Sequence, residues 1–109
     1  MIKVSEILLK TQADGAQAVT LGQFDSAMLH QIHVKVSATP TVGTLAVAIK
    51  TPGAADYAAL AWTIDLTALA TTGVFQFIGF AEAIQVTPTG FDAAKTYSVT
   101  ICTGDRGNY

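Results

Sequence analysis

A chain of 109 residues and 11.3 kDa has room for one domain. Only 13% of its residues are charged and the net charge is −2, against about 25% charged in an ordinary soluble domain, so an electrostatic grip on nucleic acid or on anionic lipid is not expected. Half the residues are apolar and mean hydropathy is +0.43, yet no window approaches the roughly 18 unbroken apolar residues of a membrane-spanning helix.

In chain order, the first expected strand is Val4–Leu9 and the second is Gln17–Phe24. Then Ile32, Val34 and Val36 alternate with Gln31, His33 and Lys35, and Leu45, Val47 and Ile49 alternate with Ala46, Ala48 and Lys50. Trp62, Ile64 and Leu66 alternate with Thr63, Asp65 and Thr67. Val74–Phe80 is apolar on both faces, with Phe75 and Phe77 on one and Ile78 and Phe80 on the other. Such a strand is expected at the centre of a sheet or under a partner. Ile84 and Val86 alternate with Gln85 and Thr87; Tyr97, Val99 and Ile101 alternate with Ser98, Thr100 and Cys102. Period-2 alternation turns one apolar face to a core and one polar face outward.

Turn signals separate these segments: Asp14-Gly15, Thr39-Pro40 to Gly43, Thr51-Pro52-Gly53, Thr72-Gly73, Pro88-Thr89-Gly90 and Gly104-Asp105. Asp56 to Leu69 also fits a helix capped by Asp56, but the clean alternation from Trp62 to Thr67 favours a loop followed by a strand from Ala61. About eight strands without strand–helix alternation predict a single domain over residues 1–109. The fold class is an all-β, antiparallel β-sandwich, jelly-roll-like. Its expected core is Ile32, Val34, Val47, Ile49, Ile64, Phe77, Val86, Val99 and Ile101.

Met1 to Glu6 contain no basic stretch followed by a long apolar one, so a signal peptide is not expected. Cys102 is the only cysteine and cannot form an internal disulfide, which fits a reducing cytoplasm.

The residues that could carry chemistry do not converge. His30 and His33 are three apart and fall on opposite faces of a strand, where they read as ordinary polar strand residues rather than joint metal ligands. Asp25-Ser26 lies near His30 without a nucleophile elbow around it and reads as a polar turn. The carboxylates Glu6, Asp14, Asp25, Asp56, Asp65, Glu82, Asp92 and Asp105 are dispersed, mostly at turns, and suggest no catalytic pair. Cys102 has only Arg106 as a nearby cation in sequence, a thin basis for a reactive thiolate. Gly79 interrupts a bulky strand and predicts a bulge or a close backbone contact. Trp62 is in phase with the core, leaving Tyr57 and Tyr109 as candidates for exposed contacts. No enzymatic activity, cofactor, metal or catalytic residue is expected. Ala and Thr supply 33 residues, and a surface built from them suits burial against neighbours.

The runs Gly73-Val74-Phe75-Gln76-Phe77-Ile78-Gly79-Phe80, Ala83-Ile84-Gln85-Val86-Thr87-Pro88-Thr89-Gly90 and Lys95-Thr96-Tyr97-Ser98-Val99 resemble virion proteins of tailed bacteriophages. They are similar in style to the small β-sandwich decoration, cement or staple proteins of capsids. That resemblance implies a non-enzymatic protein made in the host bacterial cytoplasm and carried on the virion. It would bind the major capsid protein at the outer capsid surface and oppose the pressure of packaged DNA. A homodimer or homotrimer is expected, with no nucleic-acid or membrane partner. Met1 to Ser5 and Gly104 to Tyr109 are candidate arms that order on the shell. A tail or head-fibre component, a carbohydrate-binding module, and a small enzyme or sensor on a jelly-roll barrel are the alternatives.

Overall fold

The computed structural model describes residues 2–21, 28–51, 53–68 and 72–105, and their side chains except at 2, 59–62 and 105. Eight strands are found among them: β1 (Ile2–Lys10), β2 (Gln17–Thr20), β3 (Met28–Val36), β4 (Thr44–Lys50), β5 (Ala58–Asp65), β6 (Thr72–Gly79), β7 (Ala83–Thr89) and β8 (Tyr97–Asp105). Two four-stranded sheets have the orders β1-β8-β3-β6 and β2-β7-β4-β5. All pairings are antiparallel, with β1 on β8, β2 on β7, β3 on β6 and β4 on β5. First pairs with last and each next pair nests inside, which is the jelly-roll connectivity. The fold class expected from alternation is therefore the one observed, with no α-helix among the described residues.

The core lies between the sheets and follows the period of two. Along β3, Met28, His30, Ile32, Val34 and Val36 are buried, while Leu29, Gln31 and His33 are partly covered and Lys35 is exposed. Ile7, Val99 and Ile101 join Ile32 and Val34 from the first sheet; Leu45, Val47, Ile64, Ile84 and Val86 face them from the second. Each such side chain contributes about 1.5–3 kcal/mol of burial. Leu21, Leu66 and Phe91, supplied by connections, complete the cluster. Seven of the nine expected core residues are buried; Ile49 and Phe77 face inward but stay partly exposed.

Two connections show how the ends close. The Leu21 amide donates to Glu82 O (2.7 Å) and the Glu82 amide to Lys50 O (2.8 Å). This ties the ends of β2 and β4 to the turn before β7. Gly43, at φ +132°, sits so close to Phe91 that a Cβ would lie 2.8 Å from the Phe91 Cα. Glycine is required there for both reasons.

Several expectations are corrected. Residues 56–68 form no α-helix: β5 starts at Ala58, three residues before the expected Ala61, and a 3-10 turn, Leu66–Ala68, follows. Of the two placements expected for Val74–Phe80, the central one is not found: β6 ends its sheet, with β3 as its only strand neighbour among the described residues. Thr72-Gly73 and Gly104-Asp105 are strand rather than turn. Thr72 and Gly73 pair with Lys35 and Val34; Gly104 pairs with both Ile2 and Leu29. Neighbouring strands thus extend the ladder through residues that locally favour turning. Pro88 and Thr89 also belong to β7, and the turn comes at Gly90 (φ +65°). Proline is tolerated because β2 reaches only to Val86, leaving β4 as the sole ladder partner beyond it. The terminal-arm expectation fails for residues 2–5 and 104–105, which lie in β1 and β8 and are ladder-paired. Met1, residues 106–109 and the end of the expected strand Gln17–Phe24 lie outside the described residues.

Candidate interaction surface

The two sheets present very different outer faces. On the second sheet, Thr44, Ala46 and Ala48 of β4 alternate with inward Leu45 and Val47. They lie beside Thr87 and Gln85 of β7, so the face is low and built from small residues. The first sheet is bulkier. Its cross-strand rows read Val4, Cys102, Gln31, Gln76 and, next to it, Glu6, Thr100, His33, Val74. Apolar side chains stand at both margins: Val4 and Leu8 on β1, Val74 and Ile78 on β6, and Phe80 just past β6, each about half exposed or more. Small hydroxyl residues of β8 lie between these margins. The result is an open trough of about 550 Å³, floored by His33, Lys35, Ser98 and Thr100 and flanked by Leu8 and Val74.

The polar groups that line this trough have the following partners. The Ser98 hydroxyl already accepts a hydrogen bond from the Leu9 amide (2.9 Å). His33 Nε2 lies 3.4 Å from Gln31 Oε1, not from a carboxylate. A nucleophile–base–acid relay needs all three in contact. None of the described carboxylates lines the trough.

The other candidate residues are distributed as follows. His30 and His33 do fall on opposite faces, but His30 is no ordinary polar strand residue. It is fully buried, with Nδ1 2.9 Å from Thr103 Oγ1 and Nε2 3.1 Å from Gly79 O. A carbonyl can only accept, so Nε2 carries the proton and donates to Gly79, and Nδ1 accepts from the Thr103 hydroxyl. The ring also lies against Phe77, with centroids 4.7 Å apart. Burial pushes its pKa down, and the bond to Gly79 opposes this in part. His30 thus joins β3, β6 and β8 from inside. The signal was its even-numbered phase with Ile32 and Val34. Gly79 marks no bulge, since β6 pairs with β3 without interruption, and a Cβ there would meet only the Phe77 ring at an ordinary 3.9 Å.

The described carboxylates mostly organise turns. Asp14 accepts from the Thr11 amide (2.7 Å) and hydroxyl, which holds it below the usual carboxylate range. Asp92 accepts from the Ala94 amide and from Lys95 Nζ, with the same effect. Asp65 Oδ1 accepts from the Thr67 amide and hydroxyl. Among the described residues, no three His, Cys, Asp or Glu side chains gather as a metal site. Cys102 faces outward and is partly covered, between Val4 and Gln31 in register. Tyr57 is half-buried. Asp25, Ser26, Arg106, Tyr109 and the side chains of Trp62 and Asp105 lie outside the description.

No family model matches the sequence, and no curated protein matches it. Solved structures do match in fold. The NLP core of Drosophila, a structure concerned with pentamer formation and histone binding, aligns with a TM-score of 0.52 at 8% identity, covering 97% of this chain and 100% of that one. A chain from the acidic-stable capsid of Helicobacter pylori bacteriophage KHP30 aligns with a TM-score of 0.50 at 6% identity, covering 95% and 93%. At such identities the likeness is one of fold. No helix among the described residues is long and apolar enough to cross a membrane.

Proposed function

We propose that this chain is a non-enzymatic structural protein of a tailed-bacteriophage virion, a decoration or cement protein that binds the major capsid protein on the outer shell and braces it against packaged DNA. The observation that carries the reading is the outer face of the first sheet, where Val4, Leu8, Val74, Ile78 and Phe80 are exposed around a floor of hydroxyl and amide groups. Glu6 and Lys35 are the charges that β1, β3, β6 and β8 place on that face within the two rows and the trough. A face of this kind gains by covering apolar surface and pays little to desolvate charge. The phage-capsid chain of the same fold and the phage-like style of the C-terminal half support the same reading.

Area argues for many weak contacts. Four strands about 4.8 Å apart, with eight residues rising about 3.4 Å each, give a face of about 500 Å² in projection. A standard interface takes about 800 Å² from each partner. One copy therefore holds weakly, and a shell covered by many copies, each touching neighbouring capsomers, gains through effective concentration.

The test compares capsids with and without the protein. Stripped capsids should release DNA at lower temperature or milder osmotic shock, and added protein should restore them. Val74→Asp, which puts a charge on the face without entering the core, should fail to bind or restore. Equal stability of both capsids, with the protein located at the tail, would refute the cement role and favour the tail-component alternative.

A further inference from the structure

The four sheet edges are not equally protected. The β1 edge carries Lys3, Glu6 and Lys10, and its register slips between Ile7 and Lys10, where Leu9 adopts φ +52°. Lys3 Nζ also reaches across to the carbonyls of Thr20 (3.1 Å) and Leu21 (3.2 Å), covering the end of the four-residue β2. The β5 edge is broken by a register shift opposite Ala46 to Ala48 and ends in Asp65. Charges, bulges and shortness are the devices that keep sheet edges from pairing.

The β6 edge has none of these. From Thr72 to Phe80 there is no charge and no proline. Eight consecutive residues pair with β3 in unbroken register, so the strand is regular along its length. Its inward side is only partly covered. Phe75 and Phe77 pack against the core but remain partly exposed, whereas the inward residues of the adjoining β3 are all buried. A long, regular, uncharged strand with half-covered phenyl rings is a template for another strand.

We propose that β6 pairs with β6 of a second copy, antiparallel about a two-fold axis centred on Gln76. A two-fold normal to the sheet keeps outward residues on the same side in both copies, so outward residues must meet outward ones. Centring on Gln76 brings Val74 against Ile78, Phe75 against Phe77, Gly73 against Gly79 and amide against amide at the axis. These four pairs match in size and polarity, Thr72 meets Phe80 at either end, and no like charges meet, as cross-strand pairing requires. The two first sheets become one of eight strands, and the face of about 500 Å² doubles to about 1,000 Å². This deepens the structural reading by naming a second copy as the partner at β6. Its test uses no capsid, so either idea can fail alone.

The experiment is light scattering across a dilution series on the wild type, Gln76→Lys, Gln76→Glu and an equimolar mixture of the two. Gln76 is exposed, so neither change enters the core; circular dichroism and melting of each variant check the fold. Thr63→Lys, on the exposed face of the second sheet, is the control. The wild type and Thr63→Lys should dimerise. Each Gln76 variant alone should raise the dissociation constant about two- to fivefold, because like charges would face each other at the axis. The mixture should recover a heterodimer. A monomeric wild type, a trimer, Gln76 variants that dimerise unchanged, or a mixture that stays monomeric would overturn the proposal. Capsid binding and restoration are measured separately with Thr63→Lys, which leaves both the β6 edge and the outer face of the first sheet unchanged, and decide the cement reading by themselves.

Discussion

Protonating His30 should loosen the sheet from within. In the folded chain the neutral imidazole donates from Nε2 to Gly79 O and accepts at Nδ1 from Thr103. A second ring proton would turn Nδ1 into a donor aimed at a hydroxyl that now donates to it, in a site with no exposure to water. Burial accordingly places the folded pKa below the ordinary value of 6.5. The unfolded chain then takes up the proton first as pH falls. The contribution of neutral His30 is fully present above about pH 6.5 and declines below it, at up to about 1.4 kcal/mol per pH unit, until the folded pKa is reached. Each pH unit at that slope is a sizeable share of the roughly 5–15 kcal/mol that holds a domain of this size. Asp14 and Asp92, both held below 3.8, keep their full contributions above that value and lose them only at lower pH, so a decline that begins near pH 6.5 is not theirs. Urea unfolding at a series of pH values should show the midpoint falling as the pH drops below about 6.5. His30→Gln, which keeps a donor and an acceptor but cannot titrate, should lose that acid limb. The same pH dependence in wild type and His30→Gln would refute the assignment.

Ile101→Ala should cost about 2–5 kcal/mol, the range for large-to-small changes in a close-packed core. Ile101 is fully buried on β8, between Ser5 of β1 and Ile32 of β3, and urea denaturation measures the loss; a change within about 0.5 kcal/mol, the scale of surface substitutions, would contradict its placement. Tyr97→Phe should be neutral or stabilising by up to about 2 kcal/mol, because the buried Tyr97 hydroxyl has no hydrogen-bond partner and removing it removes a desolvation penalty. Its ring, edge-on to Phe91 at 5.8 Å, stays in place. A fall in thermal midpoint for Tyr97→Phe would show that the hydroxyl is satisfied.

Alternation alone determined where most of the strands lie and, where it is clean, which side of each faces in. Ile32, Val34, Val99 and Ile101 are buried and Gln31, His33, Ser98 and Thr100 are turned out, as a period of two requires. The opposite facing of His30 and His33 follows from the same rule. What only the tertiary structure decided is who lies beside whom. Gly104 is strand because Ile2 and Leu29 flank it, and Pro88 is strand because β2 stops short of it. His30 is a core hydrogen-bonding residue because β8 brings Thr103 and β6 brings Gly79 to its two nitrogens. The two-faced apolar character of Val74–Phe80 is plain in the sequence, but its place at an edge is not. The pleat is set by each residue and its immediate neighbours, whereas ladder order is set by pairings between strands up to a whole chain apart, as β1 with β8. Local propensity carries no information about those partners.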